Sequence, residues 1–292
     1  DYSREGRKSD GIVAENQFDD VSNGNDVTYL SRADWEGTMP AERTKDKDAS
    51  EEVIQEIENQ GLTEEQRNET AEDIVVADHG LTIEDMKGLD YDDPKWEELL
   101  EQIEVQDMVS FIANGGYATA AVESIGKTAT LDQDGPQGIN SLISGDVKGV
   151  VFPSEVVVAS TFSKELAEMM GKALGDESAE YGIAGLYGPA MNTHRSPFGG
   201  RNYEYYSEDG VLAGKTSAAF VRGANEAGIY CYMKHFALDE QETERLDISI
   251  WCNEQAMREI YFKPFELCVK EGKVTAAMAS DSFIGGTWAG LR

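Results

Sequence analysis

The sequence has 292 residues, of which 40% are hydrophobic and 9% aromatic, an ordinary composition for a globular protein. Its formal net charge of -31 argues against nucleic acid and anionic membranes as partners, because both require a basic surface. No run of about 18 apolar residues occurs, so no membrane-spanning helix is predicted.

The acidic charge is concentrated in the first third of the chain. Residues 1–107 contain 32 acidic and 10 basic residues. Residues 1–88 are therefore interpreted as an acidic, largely irregular linker or the end of an upstream domain, and residues 89–292 as the folded domain. Within the linker, a helix is predicted over 50–60, where Val53, Ile54 and Ile57 share a face, and it is expected to be exposed.

Strands and helices alternate after residue 93. A helical pattern of Trp96, Leu99, Leu100 and Ile103 opens the domain. The later patterns predict strands at 129–131, 183–187, 229–233 and 274–278, and a strand or helix end at 156–161. Helices are predicted at 163–174, where Leu166, Ala167, Met170 and Leu174 face inward, and at 253–271, with a kink at Pro264. Another helix is predicted to follow the N-cap Ser207, with Glu208 and Asp209 in its first turn.

This order indicates parallel βαβ units of the α/β class. A closed barrel and an open doubly wound sheet both have that pattern. Charged residues and glycines follow each of the later strands, which favours a barrel with its active site at the carboxyl ends of the strands. A whole (β/α)8 barrel takes about 250 residues. The units after Met108 predict only part of one, so the fold class is a partial TIM (β/α)8 barrel.

The residue pair Lys234-His235 follows the strand at 229–233. The pair could donate hydrogen bonds to hydroxyl groups, or Lys234 could pair with a nearby carboxylate while His235 packs in the core. No metal site is predicted, because His79 and His194 do not provide ligand spacing.

Two other polar segments follow predicted strands, the turn at 132–138 and the long loop at 188–204. The loop lacks the spacing of a phosphate-binding loop. Acids, arginines, a lysine and a histidine at successive strand ends form a pocket suited to a polyhydroxylated ligand. The three cysteines have no metal-like spacing and are predicted to be core residues, which favours a reducing compartment. The first residues have neither the basic start nor the apolar stretch of a signal peptide, so a cytoplasmic location is expected.

These segments resemble glycoside hydrolase family 3 in order and spacing. The resemblance runs from about Leu89 to Arg292. It rests on Asp134-Gly135-Pro136, residues 192–195, Gly199-Gly200-Arg201-Asn202-Tyr203-Glu204, Tyr206-Ser207-Glu208-Asp209, Lys234-His235-Phe236 and Gln241-Glu242.

The resemblance implies a retaining, β-glucosidase-like exo-glycosidase that acts on small β-glycosides without metal or cofactor. It implies that five residues bind the sugar: Asp134, Arg201, Lys234, His235 and Arg245. The resemblance implies that both catalytic carboxylates lie outside this chain, in missing parts of the same polypeptide. The nucleophile is expected to be an Asp after a later barrel strand, and the acid/base a Glu from a second domain upstream. The isolated chain is therefore expected to be inactive.

Two positions depart from the family pattern. Asp281 stands where Tyr or Phe is usual, and Asp239 stands where Asn is usual. Neither Asp281 nor Asp34, which precedes Trp35, matches the family's nucleophile. These departures leave a non-catalytic carbohydrate-binding protein as the alternative function. They also leave open which sugar and aglycone are bound.

Overall fold

The computed structural model describes residues 50–59, 61, 63–65, 74–141, 147, 149–252 and 254–291. Most of the predicted linker, including Asp34, lies outside these residues. In the described part of the chain, no helix is both long and apolar enough to cross a membrane.

The helices precede or connect the strands. They are α1 Glu51–Glu58, α2 Lys95–Leu100, α3 Val105–Ala113, α4 Glu155–Ala159, α5 Lys164–Glu180, α6 Gly210–Glu226, α7 Glu254–Ala256 and α8 Lys263–Leu267. Two π-helical turns, Met257–Tyr261 and Cys268–Gly272, flank α8. The predicted helix over 253–271 is therefore interrupted on both sides of Pro264, rather than kinked once.

The strands are β1 Ala118–Thr119, β2 Thr130–Asp134, β3 Gly185–Tyr187, β4 Tyr230–Phe236, β5 Ser249–Ile250, β6 Ala276–Ala279, β7 Phe283–Ile284 and β8 Thr287–Trp288. The main sheet has the order β1-β2-β3-β4-β6, in which β2, β3, β4 and β6 are parallel and β1 is antiparallel. It curls into half of a barrel, which confirms the predicted partial (β/α)8 barrel. Strands β5, β7 and β8 form a second, small sheet.

The two faces of the main sheet differ in chemistry. Leu186 and Cys231 are paired across β3 and β4 and belong to the core covered by α5 and α6. Asp132, Gly185 and Tyr230 are likewise paired but lie on the opposite face, since side chains alternate along a strand. There the Asp132 carboxylate accepts hydrogen bonds from the hydroxyls of Tyr230 and Tyr232, at 2.6 and 2.8 Å.

Helices α5 and α6 approach closely where each carries a glycine. A Cβ at Gly171 would lie 1.9 Å from the Phe220 carbonyl oxygen, and a Cβ at Gly223 would lie 2.0 Å from that of Glu168. No side chain fits at either position. Glycine therefore sets the distance between the two helices behind β3 and β4.

Several local predictions were wrong. Residues 132–134 belong to β2, not to a turn. Asp209, not Ser207, caps α6 by accepting hydrogen bonds from the backbone N–H of Val211 and Leu212, so the helix begins at Gly210. The segment 156–161, which could have been a strand or a helix end, lies mainly in the helix α4. Leu166 on α5 is exposed, whereas Val53 on α1, expected to be exposed, is buried.

Candidate sugar-binding site

The predicted site residues lie at the carboxyl ends of β2 and β4 and in the loops that follow β3 and β4. Asp134 is the last residue of β2, and Lys234 and His235 are near the end of β4. Because β2, β3 and β4 are parallel, these ends meet at one edge of the sheet. The prediction placed Lys234 and His235 just after their strand, whereas the strand extends through both to Phe236.

Asp134 and Lys234 form an ion pair. The Lys234 Nζ lies 2.9 Å from Asp134 Oδ1 and donates a second hydrogen bond to the Gly135 carbonyl oxygen at 3.2 Å. The lysine is buried, whereas the Asp134 side chain keeps 25% of its surface exposed. The carboxylate thus retains capacity to accept hydrogen bonds from a ligand while the lysine fixes its position.

His235 is buried and neutral. Burial, together with the nearby positive charges of Arg201, Lys234 and Arg245, lowers its pKa to about 2. Arg201 Nη2 lies 2.9 Å from His235 Nε2, and a guanidinium can only donate, so Nε2 accepts and the proton is assigned to Nδ1. Nδ1 lies 3.4 Å from the Asp239 carboxylate.

Asn192 holds the backbone of His235 on both sides. Its Oδ1 accepts from the His235 N–H at 2.7 Å, and its Nδ2 donates to the His235 carbonyl oxygen at 2.9 Å. Asn192 is completely buried. The sequence contained this residue in a family-like segment, but only the fold reveals that its role here is to fix the strand end that carries His235.

Arg201 is surrounded by carboxylates. It pairs with Glu204, and its Nη1 lies 3.5 Å from Asp239 Oδ2 and 3.6 Å from Glu242 Oε1. Glu242 also pairs with Arg245, at 3.1 Å, and Arg245 Nε lies 3.1 Å from Asp281 Oδ2. Arg201 and Arg245 therefore share one carboxylate, that of Glu242. Asp239 and Asp281, the two residues that depart from the family pattern, belong to the same network of ion pairs.

Asp239 is the acid of this network whose pKa is clearly raised. The residue is buried, and its Oδ1 has no hydrogen-bond partner among the described residues. Burial is the largest of the effects that together raise its pKa to about 6. The charges of Glu242 and Asp281 act in the same direction as burial, and those of Arg201 and Arg245 act in the opposite direction. Asp239 therefore loses its proton just below neutral pH.

One buried acid near the site was not predicted from the sequence. Glu155, at the start of α4, is buried and accepts a hydrogen bond from Gln137 Nε2 at 2.9 Å. Burial raises its pKa to about 8, so the acid is mostly protonated at neutral pH. In the sequence it looked like an ordinary acidic residue in the first turn of a helix. No group of residues suited to hold a metal ion occurs in the described parts of the chain.

Comparisons with known proteins agree with this geometry. The model of the glycosyl hydrolase family 3 N terminal domain matches residues 93–286. The chain is 35% identical over 195 residues to beta-glucosidase B of Emericella nidulans, covering 66% of the chain and 23% of that protein. It is 36% identical over 190 residues to beta-glucosidase A of Butyrivibrio fibrisolvens, covering 65% of the chain and 23% of that protein.

Solved structures of beta-glucosidases are also similar to this chain. Beta-glucosidase 3B from Thermotoga neapolitana in complex with glucose has a TM-score of 0.60 and 36% identity, over 67% of this chain and 30% of that one. A beta-glucosidase from Paenibacillus barengoltzii has a TM-score of 0.65 and 29% identity, over 81% and 26%. The chain thus spans about a quarter of the length of these relatives.

The raised pKa of Asp239 predicts a specific pH dependence of stability. Its folded-state pKa of about 6 exceeds the unfolded value of about 3.9, so the folded state binds more protons between these limits. The contribution of Asp239 to the free energy of unfolding should therefore fall by about 2 kcal/mol as the pH rises from 4 to 6.

Urea denaturation of the wild type and Asp239→Asn across this pH range measures that contribution. The difference between the two curves should decrease with pH, whereas the contribution of Glu155, whose pKa burial raises to about 8, cancels because both proteins contain it. Parallel curves would show that Asp239 does not titrate as described.

Proposed function

The chain belongs to glycoside hydrolase family 3, and from this premise we propose that the polypeptide containing it hydrolyses small β-linked glycosides, in the manner of a β-glucosidase. The observation that carries the proposal is the Asp134–Lys234 pair beside the neutral His235 and Arg201. The names of the relatives favour this function over the carbohydrate-binding alternative. The substrate itself is inferred from those relatives.

In the proposed site the polar side chains act as hydrogen-bond acceptors or donors to the sugar. Asp134 accepts hydrogen bonds from sugar hydroxyls, and Lys234 and Arg201 donate to them. The hydrogen bonds that the Asp134 carboxylate accepts strengthen as positive charge develops on the sugar ring, because the hydroxyls become better donors. They therefore stabilise the transition state more than the bound substrate. Because Lys234 and His235 are buried, they are held in place before the sugar arrives.

The Arg245 side chain is already engaged by two carboxylates. Both Glu242 and Asp281 occupy its guanidinium, at 3.1 Å each. A sugar hydroxyl would have to share or replace one of these carboxylates. We therefore assign Arg245 a supporting role, in which it positions Glu242 and Asp281.

The two catalytic carboxylates are proposed to lie in other parts of the polypeptide. Asp281 is ion-paired with Arg245, and the resemblance aligns it with a position other than the nucleophile. The 292 residues alone are accordingly proposed to bind sugar without turnover. This inference rests on the family resemblance and on the quarter of the relatives' length that the chain covers.

Substitution of Lys234 tests the site. In the full-length polypeptide, Lys234→Ala should lower kcat/KM for an aryl β-glucoside by about 100-fold or more, because it removes a buried charged donor and leaves Asp134 without its partner. Lys172→Ala, which removes an exposed lysine from α5, is the matched control and should leave kcat/KM unchanged. Equal activity of both variants would exclude Lys234 from the sugar site.

The stereochemistry of the reaction tests the proposed mechanism. A double displacement, with two carboxylates about 5–5.5 Å apart, releases the sugar with its original anomeric configuration. Proton NMR recorded during the first minutes of hydrolysis, before mutarotation, should show the β-anomer first. Initial release of the α-anomer would establish an inverting mechanism.

A further inference from the structure

The network around Arg201 and Arg245 holds more negative than positive charge. With the adjoining Asp134–Lys234 pair, three cations (Lys234, Arg201 and Arg245) face five carboxylates (Asp134, Glu204, Asp239, Glu242 and Asp281). His235 is neutral and cannot compensate. When all five acids are ionised, the site carries an excess of two negative charges in a partly desolvated environment, where charges interact more strongly than in water.

Part of this acceptor capacity is unused. Asp239 Oδ1 and Glu242 Oε1 are buried and accept no hydrogen bond from the described residues. Asp239 is only 2% exposed, so bulk water satisfies it poorly. A buried carboxylate oxygen that accepts no hydrogen bond can accept one from a donor on a ligand.

Asp281 is the solvent-exposed end of this network of charged residues. Its side chain is half exposed, and its contact with Arg245 is at the outer end of the chain of ion pairs that runs through Glu242 to Arg201. A ligand entering the site therefore meets a carboxylate at Asp281, where the family pattern has an aromatic residue. An aromatic side chain would offer the ligand no charge at this position.

We propose that this site selects an amino sugar: a glycoside with a free, protonated amine that binds the half-exposed Asp281 carboxylate and is attracted by the negative charge of the buried Asp239. This inference rests on the proposed glycosidase function and specifies its substrate class. An ammonium group supplies both what the site lacks, a positive charge and hydrogen-bond donors. A neutral glucoside supplies only donors, and a uronide adds a further negative charge, which the site disfavours.

The experiment compares substrates in the full-length polypeptide at pH 6.5 and low salt. The probes are the aryl β-glucoside, the aryl β-glucosaminide, its 6-amino isomer and the aryl β-glucuronide. At least one amino glycoside should have a higher kcat/KM than the glucoside, and the glucuronide should have the lowest. Added salt should reduce the preference for the amine, because it screens the attraction.

Asp281→Asn should lower the ratio of kcat/KM for the amino glycoside to that for the glucoside about tenfold, the size of one lost charged hydrogen bond. Asp239→Asn, a substitution of equal size, should lower the ratio in the same direction. Glu165→Gln, which removes an exposed carboxylate on α5, is the control for a general effect of charge and should leave the ratio unchanged.

The outcomes separate the two proposals. If the glucoside is hydrolysed but no amine is preferred, or if Asp281→Asn leaves the ratio unchanged, the amino-sugar inference is overturned and the glycosidase proposal stands. If no glycoside is hydrolysed, the glycosidase proposal fails. Calorimetry of the same proteins with glucosamine and glucose then tests whether the site prefers an amino sugar. Tighter binding of glucosamine, lost in Asp281→Asn, supports the inference, and equal binding of the two sugars contradicts it.

Discussion

The ion pair between Asp134 and Lys234 depends on the parallel register of the main sheet. The two residues are 100 positions apart in the sequence, yet their side chains lie 2.9 Å from each other. Strand β3 lies between β2 and β4 and pairs with both, which brings their carboxyl ends together. A slip of one residue would turn Lys234 to the opposite face of the sheet, so the register determines whether the site exists.

The rest of the site is built around that edge. Asn192, in the loop after β3, fixes the backbone of His235, and Arg201, in the same loop, binds the imidazole. Behind the sheet, the contact between α5 and α6 at Gly171 and Gly223 packs two long helices closely against each other. A charged site thus lies at the end of a rigid apolar core, which reduces the reorganisation that binding would require.

Much of this arrangement follows from the sequence. Apolar segments separated by helical patterns predicted the α/β class, and the polar residues after each strand located the edge where the five predicted residues meet. What the sequence could not provide depends on tertiary contacts. The sequence does not show that Glu155 and Asp239 are buried, and burial is the largest cause of their raised pKa values. Leu166 and Val53 have misleading local patterns, because their burial is decided by which elements pack against them.

We propose that Asp134 and Lys234 bind the sugar. A crystal structure of this chain with glucose tests this proposal most directly. We expect glucose at the carboxyl ends of β2 and β4, with hydroxyl oxygens within about 3 Å of the Asp134 carboxylate and Lys234 Nζ. Glucose bound elsewhere, with the Asp134–Lys234 pair free of ligand, would contradict the account.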